Sequence, residues 1–251
     1  MTNPPQHSPI EAVIFDWGGT LAEYATIELE DVWRLAARHL VTAQGGGTRR
    51  DENELVSRLA QVEVDFWATT ATHQRGGTLS DLLRAATGAL QLDVTEAVLE
   101  EAATHYLDAW TPHIRHEPDA ADTLRALRRR GLRVGLLSNT HWPRAFHEHF
   151  LARDGLADLI DVRLYTSELH AMKPHPQAFR AALDAVGVTE AARAVFVGDR
   201  PFDDVFGAQQ SGLRAVLRTN PEVPPYDVTP DATIERLFEL VDVIDHWRGD
   251  A

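Results

Sequence analysis

Cysteine is absent from the 251 residues, and lysine occurs once, at position 173. Without cysteine there are no disulfides, no thiolate zinc sites and no cysteine nucleophile. Every other cationic side chain apart from histidine is an arginine, so the lone Lys173 is worth following. Basic charge is scarce overall: 24 Lys and Arg against 38 Asp and Glu leave a net charge of −14. That balance argues against nucleic acid as a partner, because phosphate backbones are held by clustered Lys and Arg. No apolar run reaches the ~20 residues of a membrane span. The stretch MTNPPQHSPIEAV has no basic segment leading into an apolar one. These absences point to a soluble, cytoplasmic protein with neither membrane nor nucleic-acid partners.

What is present has a rhythm. Short apolar, β-branched runs that end in polar residues recur at 12–15, 133–137, 161–165, 194–197 and 214–217. They read as buried strands. Helical patterns at 119–130, 176–186 and 203–211 are closed by Gly131, Gly187 and Gly212, the residue type a helix C-terminus favours. Strands alternating with such helices imply a parallel sheet in a doubly wound, Rossmann-like α/β fold. Residues from about 22 to 112 break the rhythm, with amphipathic helices expected at 28–43, 52–68, 79–90 and 95–109 and glycine-rich loops at 45–48 and 76–78. The expected organisation is an α/β core of residues 1–21 and 112–251, with an all-helical cap, 22–111, inserted after the first strand. The proline-rich stretch 220–230 is expected to lead into a last helix at about 231–241.

In open parallel sheets the ligand site lies beyond the carboxyl ends of the strands. Four polar clusters occupy such positions: Asp16; Ser138 with Asn139; Lys173 in MKPHP; and Asp199 with Asp203 and Asp204 in VGDRPFDDVFGA. Carboxylates sharing a site repel, and a hard divalent cation with oxygen ligands, such as Mg²⁺, relieves the repulsion. Asp16 and Asp199 would anchor it. The cation and Lys173 then make a positive pocket for a phosphoryl group, with the Ser138 hydroxyl as a further donor. Asp16 is placed to attack phosphorus and form an aspartyl-phosphate. Each residue alone has a plainer reading: Asp16 as a turn residue, Ser138 and Asn139 as part of a helix start, Asp203 and Asp204 as first-turn helix acids.

Together the four motifs, DWGGT, LLSN, MKPHP and GDRPFDD, resemble in order and spacing those of the haloacid dehalogenase-like hydrolase superfamily. The resemblance covers roughly 10–21 and 115–240; the helical insert resembles the family's C1 cap only in position and helicity. It implies a hydrolase acting on a small phosphorylated molecule, with Asp16 as nucleophile and metal ligand and Asp199 as metal ligand. It further implies that Thr20 fixes the first loop, that Ser138 and Asn139 bind the phosphoryl group, and that Lys173 neutralises Asp16 and the phosphate. Asp204 is favoured over Asp203 as the last metal ligand, because DVFGAQQSG then matches the family's helix.

The sequence departs from the family at Gly18. Most family phosphatases carry an aspartate there, as acid for the leaving group and then base for water. Metal binding is unaffected, since the family uses this residue's backbone carbonyl. The departure admits three readings: a substrate with a good leaving group, a proton supplied by a cap residue or His141, or a weak phosphate- and Mg²⁺-binding partner protein. A fourth, carbon-centred hydrolysis as in dehalogenases, is opposed by the retained Asp199, Asp203 and Asp204. His141, His147 and His149 suggest a metal site, but surface histidines are the better expectation.

Overall fold

The computed structural model describes residues 10–23 and 25–249. Residues 1–9 and 250–251, which the sequence reading assigns to the core, and Tyr24 lie outside the described residues.

Six strands form one sheet: β1 (Ala12–Phe15), β2 (Arg133–Ser138), β3 (Val162–Tyr165), β4 (Ala194–Gly198), β5 (Arg214–Arg218) and β6 (Ala232–Ile234). Their order is β3-β2-β1-β4-β5-β6, and every neighbouring pair is parallel. Helices α1 (Leu29–Ala43), α2 (Arg49–His73), α3 (Leu79–Ala89) and α4 (Glu96–Trp110) follow β1. The later ones are α5 (Ala120–Arg129), α6 (Arg144–Arg153), α7 (Pro176–Val186), α8 (Gly207–Gln210) and α9 (Glu239–Arg248).

The central strand is apolar throughout because both faces of the sheet are covered. Val13 and Phe15 pack with Val134, Leu136, Val195 and Val197 on one face, against α5 and α9. Ala12 and Ile14 point the other way, into a cluster with Phe196, Ala215 and Phe179 of α7. Helices α1 to α4 bury a separate core, which includes Trp33, Leu40, Leu59, Leu83 and Tyr106. In α1 the residues Val32, Trp33, Ala36, Ala37 and Leu40 recur with helical period and form its buried stripe. A capping box between Thr78 and Asp81 starts α3. Two backbone bonds tie this segment to the loops of the sheet, Leu79 N–H to His141 O at 2.8 Å and Met172 N–H to Gln74 O at 3.1 Å.

Two expectations need correcting. The helix expected at about 231–241 is instead strand β6 followed by α9 from Glu239. Three residues are too few to display a period, and Ile234 is buried because β6 pairs with β5. The helix expected at 203–211 begins at Pro201 as a wide π-helical turn and narrows into α8.

Candidate active site

From β1 the chain proceeds to β2 and β3 on one side and then to β4 on the other, so the sheet's switch point lies between β1 and β4. Asp16 and Asp199 follow the carboxyl ends of these two strands. Lys173, from the loop before α7, extends its ammonium between two carboxylates: Nζ donates to Asp16 Oδ1 and to Asp204 Oδ1, both at 2.7 Å. The lysine is 1% exposed and its ammonium lies 4.9 Å from the centre of the Phe196 ring. Burial alone would discharge it, but the two carboxylates prevail and hold its pKa above the ordinary lysine value.

The acids respond in the opposite sense. Burial raises the Asp16 pKa against the attraction of Lys173. Asp199 is pushed up to about 7 by burial and then by repulsion from Asp16 and Asp204. One carboxylate oxygen from each of Asp16, Asp199 and Asp204 lies within 4.8 Å of the other two. Asp199 Oδ2 accepts from Asn220 Nδ2 at 2.7 Å, whereas its Oδ1 is buried without a hydrogen-bond partner. Asp204 Oδ2 accepts from the Arg200 N–H at 2.9 Å. Asp203 lies outside this group of three; burial and then Asp204 raise its pKa to about 6.

The two glycines after Trp17 differ. Gly19 has φ of +77°, and a Cβ there would lie 2.0 Å from Asp199 Oδ2, so only glycine fits. At Gly18 φ lies outside the left-handed region, and a Cβ would meet nothing within 4 Å. Thr20 is fully buried, and its hydroxyl has no hydrogen-bond partner. Ser138 ends β2 and is 3% exposed. Asn139 is committed to the protein: its Nδ2 donates to Lys173 O and its Oδ1 accepts from Lys173 N–H, each at 2.9 Å. The amide expected to bind substrate thus grips the peptide of the lysine.

Sequence reading missed two residues. Asn220 fixes Asp199, and Arg218 at the end of β5 donates to Gly19 O at 2.5 Å while pairing with Glu117 at 2.7 Å. The signal was available, since Arg218 ends a strand as the other site residues do.

The histidines of HWPRAFHEHF also need correcting. His149 is exposed, but His141 and His147 are buried. In α6 the residues His147, Phe150 and Leu151 share the inward stripe. The His147 ring stacks on Tyr165 at 4.6 Å, and the His141 Nε2 meets the Tyr106 hydroxyl at 3.2 Å, beside buried Glu63. Burial lowers both pKa values to about 3, so both rings are neutral. A neutral His141 does not serve as a general acid at neutral pH.

The model of the haloacid dehalogenase-like hydrolase family matches residues 10–212. The chain belongs to that family. This hydrolase is 30% identical over 241 residues to a glyceraldehyde 3-phosphate phosphatase of Methanopyrus kandleri, covering 94% of this chain and 97% of the relative. Its fold is similar to that of a 2-haloacid dehalogenase from Pseudomonas syringae, with a TM-score of 0.70, 26% identity and coverage of 95% and 99% of the two chains. A HAD phosphatase from Thermococcus onnurineus superposes with a TM-score of 0.61 at 25% identity, covering 94% and 98%. Among the described residues no helix is long and apolar enough to cross a membrane.

Proposed function

We propose that this hydrolase is a Mg²⁺-dependent phosphatase of a small phosphorylated metabolite, working through an aspartyl-phosphate on Asp16. The observation that carries the reading is the ammonium of Lys173 held at 2.7 Å between Asp16 and Asp204 with Asp199 beside them. The buried Lys173 ammonium bonds two of the three buried carboxylates, and among the described residues Asp199 has only the neutral Asn220 for a hydrogen-bond partner. The donor set is all oxygen, and the orphaned Oδ1 of Asp199 is a buried acceptor in want of a cation. That environment suits Mg²⁺. Asp16, Asp199, Asp204 and the Gly18 carbonyl would hold it. When bound, it would offset the negative charge of the phosphoryl oxygens.

The remaining steps belong to the chain. An Asp16 oxygen attacks phosphorus, and the bond to the leaving oxygen breaks. Lys173, whose peptide is gripped by Asn139, keeps Asp16 ionised and steadies charge on the transferring group. The Ser138 hydroxyl donates to a phosphoryl oxygen, and buried Thr20 braces the loop between Asp16 and Leu21 through its N–H on the Trp17 carbonyl at 3.3 Å. Water then cleaves the aspartyl-phosphate, releasing inorganic phosphate and restoring the carboxylate. Gly18 offers no proton to the leaving group, which favours substrates whose leaving group is a weak base. Helices α1 to α4 act as a cap that excludes water and selects the substrate.

The test is phosphate release from a panel of phosphometabolites, with and without Mg²⁺, by wild type and by Asp16→Asn. Turnover that needs Mg²⁺ and vanishes in the folded variant is the expected result. The likeness to a 2-haloacid dehalogenase favours a second reading, displacement at carbon by Asp16. Halide release that persists in excess chelator would establish it instead.

A further inference from the structure

Asp16 is aimed by the peptide that follows it, and that peptide is fastened through both main chain and side chain. The Trp17 N–H steadies the Asp16 carboxylate. The Trp17 carbonyl accepts from Ala22 N–H at 2.7 Å and from Thr20 N–H at 3.3 Å. Its indole is buried, and Nε1–H donates to His116 Nε2 at 3.1 Å. An indole only donates, so Nε2 must carry a lone pair and the imidazole proton sits on Nδ1. That nitrogen faces Asp154 Oδ2 at 2.7 Å. Asp154 is held in turn by Arg153, through Nε at 2.7 Å and a terminal guanidinium nitrogen at 2.6 Å. The edge of the Trp17 ring also meets the His147 ring at 4.6 Å. A continuous chain of side chains thus runs from the end of α6 to the residue beside the nucleophile. Its outer members, Arg153, Asp154 and His116, line a surface pocket of about 330 Å³.

We propose that His116 and Asp154 are positioning residues for the nucleophile: they lock the Trp17 indole and so fix the peptide from which the Asp16 carboxylate projects. The proposal rests on the phosphatase reading and deepens it. In the proposed mechanism neither His116 nor Asp154 touches the transferring group, so their effect is on aim. Small misplacements of a reacting group are costly in rate, while ground-state binding by Lys173 and Ser138 is left in place. The lock has a chemical condition. His116 accepts from the indole only while neutral; a proton on Nε2 would set two N–H donors against each other at 3.1 Å. Burial keeps the ring's pKa below the ordinary histidine value, against the pull of Asp154. The groups facing it are Arg153 at the end of α6 and Asp154 just after it, Arg115 and Glu117 beside it, and the neutral His147. Acid therefore releases Trp17, and neutral solution holds it.

The test uses full-length His116→Phe, Trp17→Phe and the double variant. His116→Phe keeps a ring but no acceptor, and Trp17→Phe keeps a ring but no donor. Each single change is expected to lower kcat by about tenfold to a hundredfold, with KM within about twofold. The double variant should be no slower than the slower single one, because both remove the same bond. His116→Gln, whose amide oxygen accepts and does not titrate, should recover most of the rate and flatten the contribution of His116 to the acid limb. Unchanged kcat in a folded single variant, or losses that multiply in the double, would overturn the proposal. An assay independent of turnover is the Trp17 indole N–H resonance in the substrate-free protein, assigned by its loss in Trp17→Phe. It should move on acidification and in His116→Phe; a resonance indifferent to both overturns the lock whatever the enzyme hydrolyses. A responsive resonance in a wild type inactive on every phosphoester leaves the lock standing and overturns the phosphatase reading alone.

Discussion

Replacing Gly18 with aspartate tests how far the missing carboxyl limits the enzyme. The backbone permits it: a Cβ there meets nothing within 4 Å, and φ is outside the left-handed region. Losing glycine's freedom in the unfolded chain favours the fold by about 0.4–1 kcal/mol. The opposing term is charge, since the new carboxyl would stand two residues from Asp16, in a site where burial and then repulsion from Asp16 and Asp204 already lift Asp199 to about 7. General acid help is worth about 10²–10⁴ in rate, or roughly 3–5 kcal/mol. With an unrefined geometry the lower end applies, so kcat/KM for an alkyl phosphate should rise by about 10², and that for a nitroaryl phosphate should change little. Gly19→Ala is the control, because its Cβ would lie 2.0 Å from Asp199 Oδ2 and must displace that carboxylate or the loop. It should depress both rates. The assay is kcat/KM for one alkyl and one nitroaryl phosphate in each protein, with melting curves and Mg²⁺ affinity measured alongside. If wild type already hydrolyses the alkyl ester as well as the aryl one, another group supplies the proton and the reasoning fails. Folded Gly18→Asp with both rates lowered would show that the leaving group does not depart past Gly18.

Two further predictions follow from the buried titratable groups. Lys173→Met should lower kcat and raise KM together and destabilise the metal-free protein by about 3–5 kcal/mol, because two carboxylates lose their buried cation; an unchanged kcat/KM would put the lysine outside the reaction. His147 has a pKa of about 3 in the fold, against ~6.5 when unfolded. Between those values the unfolded chain takes up a proton that the fold does not, so stability is fully present above pH ~6.5 and is lost as pH falls, by about 1.4 kcal/mol per unit for that group. Denaturant unfolding from pH 7 to 5 should therefore show a steeper acid loss in wild type than in His147→Phe; parallel curves would mean the ring is not held neutral.

The parts of the molecule legible in the sequence are those that a local rule determines. A strand buried on both faces must be apolar along its length, so AVIF and AVFV stand out. A residue that ends such a strand in a parallel sheet must lie near the crevice, which brings Asp16, Ser138 and Asp199 together before any coordinate is known. Strand β6 escaped because three residues display no period, and it exists only by pairing with β5. His147 escaped because a histidine on a helix is polar by composition and buried only by the packing of α6.

The remaining misses concern partnership between distant residues. Arg218 reaches Gly19 and Asn220 reaches Asp199 because β5 neighbours β4, and β4 neighbours β1, an adjacency stated nowhere in the local pattern. Gly18 and Gly19 are identical letters in DWGGT. One is compelled by a left-handed backbone against the Asp199 carboxylate, and the other is free. The departure at Gly18 is therefore not a by-product of the turn geometry, since an aspartate could stand there without backbone strain. What the position lacks is a carboxyl, and the chemical consequence falls on the leaving group. On the proposed reading, a hydrolase built in this way keeps the residues that would gather the phosphoryl group and offset its charge while omitting the acid that would help a poor leaving group go. Its selectivity should accordingly be set more by the basicity of the departing oxygen than by the strength with which phosphate is held.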